Sequence, residues 1–481
     1  MASQKGQGAA PENRAVKASR HLRGIPERLL ARLRSSQFNR NMGAGSAMAV
    51  ITTGLSFISY PVYLHYLGYH RYGLWLLLSV IISIAQLGHL GIPGALMTLV
   101  AEDHGAGDWE GVRTYVNMGC GIILAAGLVF LGVVIAIRSF IIHWLKLGAS
   151  DAAIVYSLLP YVAALSVLVL LFTAFNAALG GLGRMDLTSY NETSVQALVI
   201  VISAVLLYFG LDLRGMAIGA LAAYAGGQIF CFIQVQTIMP IRLAARTRLS
   251  SHKARQLLGT GGWILSAGVC NGMLLPFTRL MLSRYAGLEA VAINDICLTG
   301  SLRVRNIFDS AFRPMTPEVS DLQVRGVSNL HDRIRSIDGK AFWLIIVVAL
   351  PGFASLMIVM TPFLHMWLHG GFKLLLPDTF RIALVGAFIS LLGSSSYYML
   401  IGLGKARDVA VAGALQFAAN AAILAGLAIW IGHITVGQAA VAFGVATTSA
   451  TVYFRWRLFL LGRSNNAPLS RPVLSKNEAP S

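Results

Sequence analysis

Arg303, Arg305, Asn306, Asp309 and Arg313 crowd into one short stretch of an apolar chain. Ser301, Arg305, Asp309 and Arg313 recur every four residues, so on a helix they form a polar stripe with Asn306 beside it. Arg305 and Asp309 can pair, which leaves guanidinium charge in excess. A guanidinium fork donates two parallel hydrogen bonds to a phosphate or pyrophosphate, and it does so best where water is scarce. Arg279, shortly after Pro276, adds a cation in the preceding apolar run; Asn271 is a polar residue of that same run, and His89 one of the second run. A lone His or Asn there more often bonds a neighbouring helix than a ligand. A competing reading puts Asp309 and Arg313 at a membrane surface, with Arg303 and Arg305 reaching it along their aliphatic stems.

Other chemistry finds little support. Cys120, Cys231, Cys270 and Cys297 lie in apolar stretches with no CxxC pair and no His at metal spacing, and no Walker A motif is present. No cofactor is expected.

These charges must be positioned by membrane helices. Of 481 residues, 56% are hydrophobic and 12% charged, and that charge is about half of what a soluble globular chain carries. Spanning a bilayer takes about 20 apolar residues. Charged and Gly/Pro breaks divide the chain into about twelve such runs. The first six are Met42 to Leu67, Gly73 to Met97, Tyr115 to Ile137, Ala153 to Leu179, Ser194 to Gly210 and Gly215 to Met239. The second six are Gly262 to Leu282, Val291 to Phe312, Phe342 to Trp367, Phe380 to Leu403, Val409 to Ile431 and Thr435 to Leu460. The expected fold class is an all-α polytopic membrane protein. Asp186 and Glu192 fall in the loop before the fifth run, so the first-half spans carry no interior carboxylate.

The net charge of +18 then reads as topology. With the amino terminus inside, the cytoplasmic segments hold roughly 28 Lys/Arg and the outward ones about seven. Both termini are therefore expected in the cytoplasm, and nucleic acid is not required as a partner. Residues 1–40 form a basic tail without a secretory signal; it either rests on anionic lipid or stays solvated.

The two sets of six echo each other. Tyr66-Leu67-Gly68 recurs as Tyr285-Ala286-Gly287, and Met97-Thr98 as Met315-Thr316. Gly181-Leu182-Gly183-Arg184 recurs as Gly402-Leu403-Gly404-Lys405, and Gly210 with Gly215 as Gly432 with Gly437. By subtraction the offsets are about 219, 218, 221 and 222, in chain order. Six-helix bundles over 41–240 and 262–460 are expected, joined by a basic linker at 241–261 and followed by a tail at 461–481. Two parallel bundles suit a carrier with a cavity between them, and Pro61, Pro160, Pro276 and Pro351 are places where helices could bend.

Tyr66-Leu67-Gly68, Tyr72-Gly73-Leu74-Trp75, Leu87-Gly88-His89-Leu90-Gly91-Ile92 and Ala95-Leu96 together resemble the polysaccharide-biosynthesis flippases of O-antigen type. Gly181 to Arg184 and Pro317-Glu318-Val319-Ser320 look like further hallmarks, and the resemblance covers about residues 38 to 460. That family belongs to the multidrug, oligosaccharidyl-lipid and polysaccharide (MOP) exporter superfamily. The resemblance implies a MATE-like fold and a polyprenyl-pyrophosphate-linked oligosaccharide as cargo, turned across the bacterial inner membrane. Membrane lipids and polysaccharide assembly proteins are the other partners it implies. His89 and Arg279 stand at or near places where such proteins carry acidic residues, which makes this site more basic.

The leading expectation is alternating access in which Arg303 and Arg305, helped by Arg279 and Arg313, hold the pyrophosphate. The alternative is a cation-coupled multidrug antiporter of the same fold, against which the scarcity of carboxylates counts. An enzyme of polysaccharide assembly is not expected, since the outward loops are short and poor in paired carboxylates.

Overall fold

In the computed structural model, residues 27–88, 91–239, 272–313, 315–324 and 330–463 are described, with the single residues 253, 257 and 269. His89, Asn271, most of the linker, and the tails at 1–26 and 464–481 lie outside the described residues.

The chain opens with a long helix, α1 (Glu27–Leu87), which contains the first two expected crossings. Gly68 separates them at φ 67 and ψ 176. Only glycine takes such a conformation without a steric penalty, so the sequence sets the bend there. Gly287, at φ 90 and ψ 170, does the same between α8 (272–285) and α9 (Leu288–Asp309).

The second crossing ends at Leu87 rather than running to Met97. Gly91 is left-handed at φ 69, and Pro93 occupies the first turn of a separate helix, α2 (Ile92–Ala106). Proline favours such a first turn, where its missing N–H has no partner to lose. The first bundle continues with α3 (Trp109–Ala136), the short α4 (Arg138–Leu145), α5 (Ala149–Gly181), α6 (Met185–Tyr208) and α7 (Asp212–Ile238). Asp186 and Glu192 are therefore inside α6, not in a loop, and Asp186 is buried against Arg184 with N–O 3.1 Å.

In the second bundle α10 (Met315–Val324) follows α9, then α11 (Leu330–Leu344) and α12 (Leu350–Leu368) form one crossing. A π-helical turn at Ile345–Ala349 joins them. Pro351 cannot donate to the carbonyl four residues earlier, and widening the turn accommodates that loss. The helices α13 (Leu375–Leu392), α14 (Ser394–Gly402), α15 (Ala406–Trp430) and α16 (Val436–Arg463) complete the chain.

Eight described helices are long and apolar enough to cross a membrane by length and composition, and one of them, Val50–Leu87, contains two crossings. The remaining three crossings are α8, α9 and α16. In α9 the charges of Asp295, Arg303 and Arg305 break the apolar run, and in α16 Thr447, Thr448, Ser449 and Thr451 dilute it.

The repeat is visible in the packing. A Cβ on Gly181 would stand 2.7 Å from the Met97 carbonyl oxygen, and one on Gly402 would stand 2.6 Å from that of Thr316. The ends of α5 and α14 thus dock on α2 and α10 in the same way. Space pairs Met97 with Thr316, one residue away from the Met315 that the sequence echo suggests.

Among the described residues, several bonds between the bundles lie toward the Gly68 end. The Tyr69 hydroxyl donates to the Gly371 carbonyl, and Trp367 Nε1 donates to the Phe57 carbonyl at 2.9 Å. Arg284 Nη1 donates to the Trp144 carbonyl at 2.5 Å. Gly73 lies so close to Leu288 that any side chain there would collide with its backbone. This end is closed.

Candidate functional site

Helix α9 presents its polar residues on two faces. With 3.6 residues per turn, positions two apart point roughly 200° apart. Asp295, Thr299 and Arg303 therefore share one face, while Ser301, Arg305 and Asp309 share another. Arg303 and Arg305 look in opposite directions and cannot close as one clamp.

The first face meets α8 and α1. Arg279 Nη2 and Nε reach Asp295 Oδ1 at 2.5 and 3.2 Å, and Nη1 donates to Ser79 Oγ of α1 at 2.9 Å. Thr299 Oγ1 donates to the same carboxylate at 3.3 Å. The side chains of Arg279 and Asp295 are 15% and 4% exposed, so each charge depends on the other for solvation. Tyr60 and Tyr72 wall the pair, ring centroids 6.3 Å apart and edge-on. Arg279 is thus neutralised by an aspartate that the sequence reading passed over. Arg303, one turn beyond Thr299 and within electrostatic reach of Tyr60, is half-buried and has no hydrogen bond or ion pair among the described residues.

The second face looks into the second bundle. Arg305 Nη1 donates to Ser390 Oγ at 2.8 Å, and its Nη2 stands 3.7 Å from Asp309 Oδ1. Asp309 also accepts from Ser394 Oγ at 2.5 Å and from the Tyr398 hydroxyl at 2.8 Å. Arg305 and Asp309 line a cavity of about 340 Å³ walled by α8, α9, α13, α14, α15 and α16. The cavity lies within one bundle, not between the two. Asn306 is exposed, and Arg313 is exposed at the end of α9 near Tyr398; neither lines the cavity.

The first bundle holds a polar centre that sequence reasoning missed. Asn191 Nδ2, on α6, is within 3.2 Å of Asn176 Oδ1 on α5 and 2.7 Å of Gln234 Oε1 on α7. Amides scattered over three helices leave no spacing signal in the sequence.

Residues 38–297 match the family described as polysaccharide biosynthesis protein. The chain belongs to this family. No curated protein sequence matches it. In fold this family member is similar to an inward-facing MATE multidrug resistance transporter of the MOP superfamily, with TM-score 0.66 and 15% identity over 87% of this chain and 96% of that one. The outward-facing form of such a MATE transporter gives TM-score 0.58 and 15% identity over 88% and 96%. A MOP superfamily transporter from Pyrococcus furiosus, described as having a binding pocket of reversed polarity, gives 0.58 and 14% over 89% and 98%. The fold is that of MOP exporters, in a multi-pass membrane protein.

Chemically, this family member's two α9 faces differ. Arg279 with Asp295, and Arg305 with Asp309, are each close to neutral. Arg303 brings a guanidinium that is unpaired among the described residues to the face that meets the first bundle, where charge is expensive and an anion would be welcome.

Proposed function

We propose that the chain is a flippase that carries a polyprenyl-pyrophosphate-linked oligosaccharide across the bacterial inner membrane by alternating access, for assembly of O-antigen, exopolysaccharide or capsule. One observation carries this reading: among the described residues Arg303 is a half-buried guanidinium without a partner, while Arg279 and Arg305 have carboxylates. Arg303 takes the pyrophosphate, the prenyl tail stays in lipid, and the glycan crosses between the bundles. The basic residues place both termini and the linker in the cytoplasm. The closed Gly68 end then faces outward, so loading occurs from the cytoplasmic leaflet, where such a lipid is made. The chain moves its cargo without altering it, and no enzyme activity is proposed.

Small-cation antiport is the poorer reading, because Asp295 and Asp309 already face arginines and offer little free negative charge.

Replacing Arg303 by Ala tests the proposal. Surface polysaccharide should disappear while the protein keeps its level in the membrane, and Arg303→Lys should restore part of the export, since it returns the charge without the fork. Normal polysaccharide in Arg303→Ala would overturn the reading.

A further inference from the structure

We propose that the cavity inside the second bundle holds one neutral sugar ring of the cargo, further along the glycan than the ring bonded to phosphate. The inference rests on the flippase reading above and adds a second contact to it.

The charge of the cavity comes first. Arg305 and Asp309 offset each other across 3.7 Å, so the cavity lacks the surplus that would draw a phosphate. What remains is a wall of donors, acceptors and rings: Gln416, Tyr397, Tyr398, Phe443 and Phe454 line it together with the ion pair. A sugar ring needs this mixture, because its hydroxyls both donate and accept while its C–H face lies against aromatic carbon. The first bundle's cavity, at about 380 Å³, makes the contrast. It is lined by Leu77, Ile81, Phe130, Val134 and similar apolar residues, with no charged side chain and only the Trp144 indole as a polar group.

The second observation is which polar groups are still free. Ser394 and Tyr398 are committed to Asp309, and Thr451 Oγ1 donates to the Ile389 carbonyl at 3.2 Å. In contrast, the Gln416 amide and the Tyr397 hydroxyl have no hydrogen-bond partner among the described residues, and Arg305 Nε is buried without one. A buried donor without a partner is costly, so Arg305 Nε gains from a ligand oxygen, while the accessible Gln416 amide and Tyr397 hydroxyl are open to bond ligand hydroxyls. Tyr397 and Phe454 meet edge to face with centroids 5.7 Å apart, which holds both rings in place on the cavity wall.

Size and position decide which ring. At about 340 Å³ the cavity is near the lower end of small-molecule sites, which run from roughly 300 to 1,000 Å³. It admits a single ring rather than an oligosaccharide. Arg303 and Arg305 lie across the body of α9, which is roughly 10 Å thick. A pyrophosphate on Arg303 therefore cannot place its own sugar beside Arg305, and a later ring must fill the cavity.

Saturation-transfer NMR on the full chain in lipid nanodiscs tests this, with glucose and N-acetylglucosamine as neutral probes and glucuronic acid as an anionic one, alongside phosphorus-31 line broadening of inorganic pyrophosphate. The neutral sugars should show transfer at least as strong as glucuronic acid. Gln416→Leu should weaken it about tenfold, the loss of one or two hydrogen bonds, while the pyrophosphate response is kept. Tyr397→Phe, which removes only a hydroxyl, should act in the same direction and guards against misfolding of the first variant. Arg303→Gln should do the reverse. No transfer to any neutral sugar, or transfer unchanged in both Gln416→Leu and Tyr397→Phe, overturns the proposal. In cells, Gln416→Leu should lower surface polysaccharide; full export with sugar binding lost would mean that the cavity takes free sugar, and overturns its assignment to the cargo. Intact export and lost pyrophosphate binding in Arg303→Gln, with sugar binding kept, would instead sink the pyrophosphate role and leave the cavity standing.

Discussion

In the first bundle Asn176, Asn191 and Gln234 share hydrogen bonds with no formal charge between them, whereas in the second an arginine–aspartate pair and three hydroxyls occupy the interior. The backbones nonetheless repeat. Gly183 and Gly404 end their helices at φ 76 and φ 69, and Gly210 and Gly432 both stand at φ 76 or above. At the offset of 219 residues given by Gly68 and Gly287, Arg279 corresponds to Tyr60, Asp295 to Leu76, Arg303 to Ile84 and Arg305 to Gln86. Glycines keep the two halves in the same shape while side chains make them unequal. A charge at the bilayer centre costs about 2.5 to 3.5 kcal/mol on insertion scales, so concentrating Arg279, Asp295, Arg303, Arg305 and Asp309 in one helix pair of one bundle implies a use there.

The largest break in this comparison comes from Asp295→Leu, which gives α9 the residue type of its counterpart Leu76. It strands Arg279 in a site where that side chain is 15% exposed, and losing one partner of a buried pair costs about 3–5 kcal/mol. The thermal midpoint of the purified protein should fall steeply, and Arg279→Tyr added to Asp295→Leu should recover most of it. Failure of the double variant to recover would mean that the pair does more than balance charge.

Tyr398→Phe comes next. It removes the 2.8 Å donor to Asp309, and a hydrogen bond to a charged group is worth about 1.5–3 kcal/mol. At the offset of 221 given by Gly181 and Gly402, Tyr398 corresponds to Ala177 in the first bundle, and Ala177→Ser should shift stability far less. Equal losses would argue against a second-bundle centre.

Gly181→Ala and Gly402→Ala sharpen the shared half of the comparison. Each adds a Cβ within 2.7 Å of a carbonyl oxygen, and overpacking costs about 1–3 kcal/mol. The two losses, read as thermal midpoints, should match within error. A large inequality would show that the bundles are not equally rigid.

Much of this was legible in the sequence, for stated reasons. Apolar runs and the Gly repeats announced the helices and the doubling, because membrane length and positive φ restrict which residues fit. The motifs around Tyr66, Tyr72 and Leu87 announced the family. Helical periodicity already contained the split between Arg303 and Arg305, since residues two apart do not share a face. The partner of Arg279 was hidden for another reason: Asp295 lies on a different helix, and only packing brings the two together. The early end of the second crossing was written in Gly91 and Pro93 but masked by the hydrophobicity of Ile92 to Val100. The enclosure of Arg305 and Asp309 by α13 to α16 depends on how the second bundle packs, which no local pattern encodes.

The smallest expected effect tests the seam between the bundles rather than either one. Trp367→Phe removes the indole donor to the Phe57 carbonyl, 2.9 Å away, and keeps an aromatic ring against Phe57, Tyr60 and Phe363. A neutral hydrogen bond contributes about 1 kcal/mol, which is roughly a fivefold change in an equilibrium constant. Because the bond joins the bundles only while the Gly68 end is shut, its loss should leave the thermal midpoint nearly unchanged and raise the open population about fivefold. Spin labels on exposed positions such as Tyr66 and Leu374, compared by distance distributions before and after the substitution, read that population directly. An unchanged distribution would show that Tyr69, Arg284 and the Gly73–Leu288 contact hold the end closed without the tryptophan.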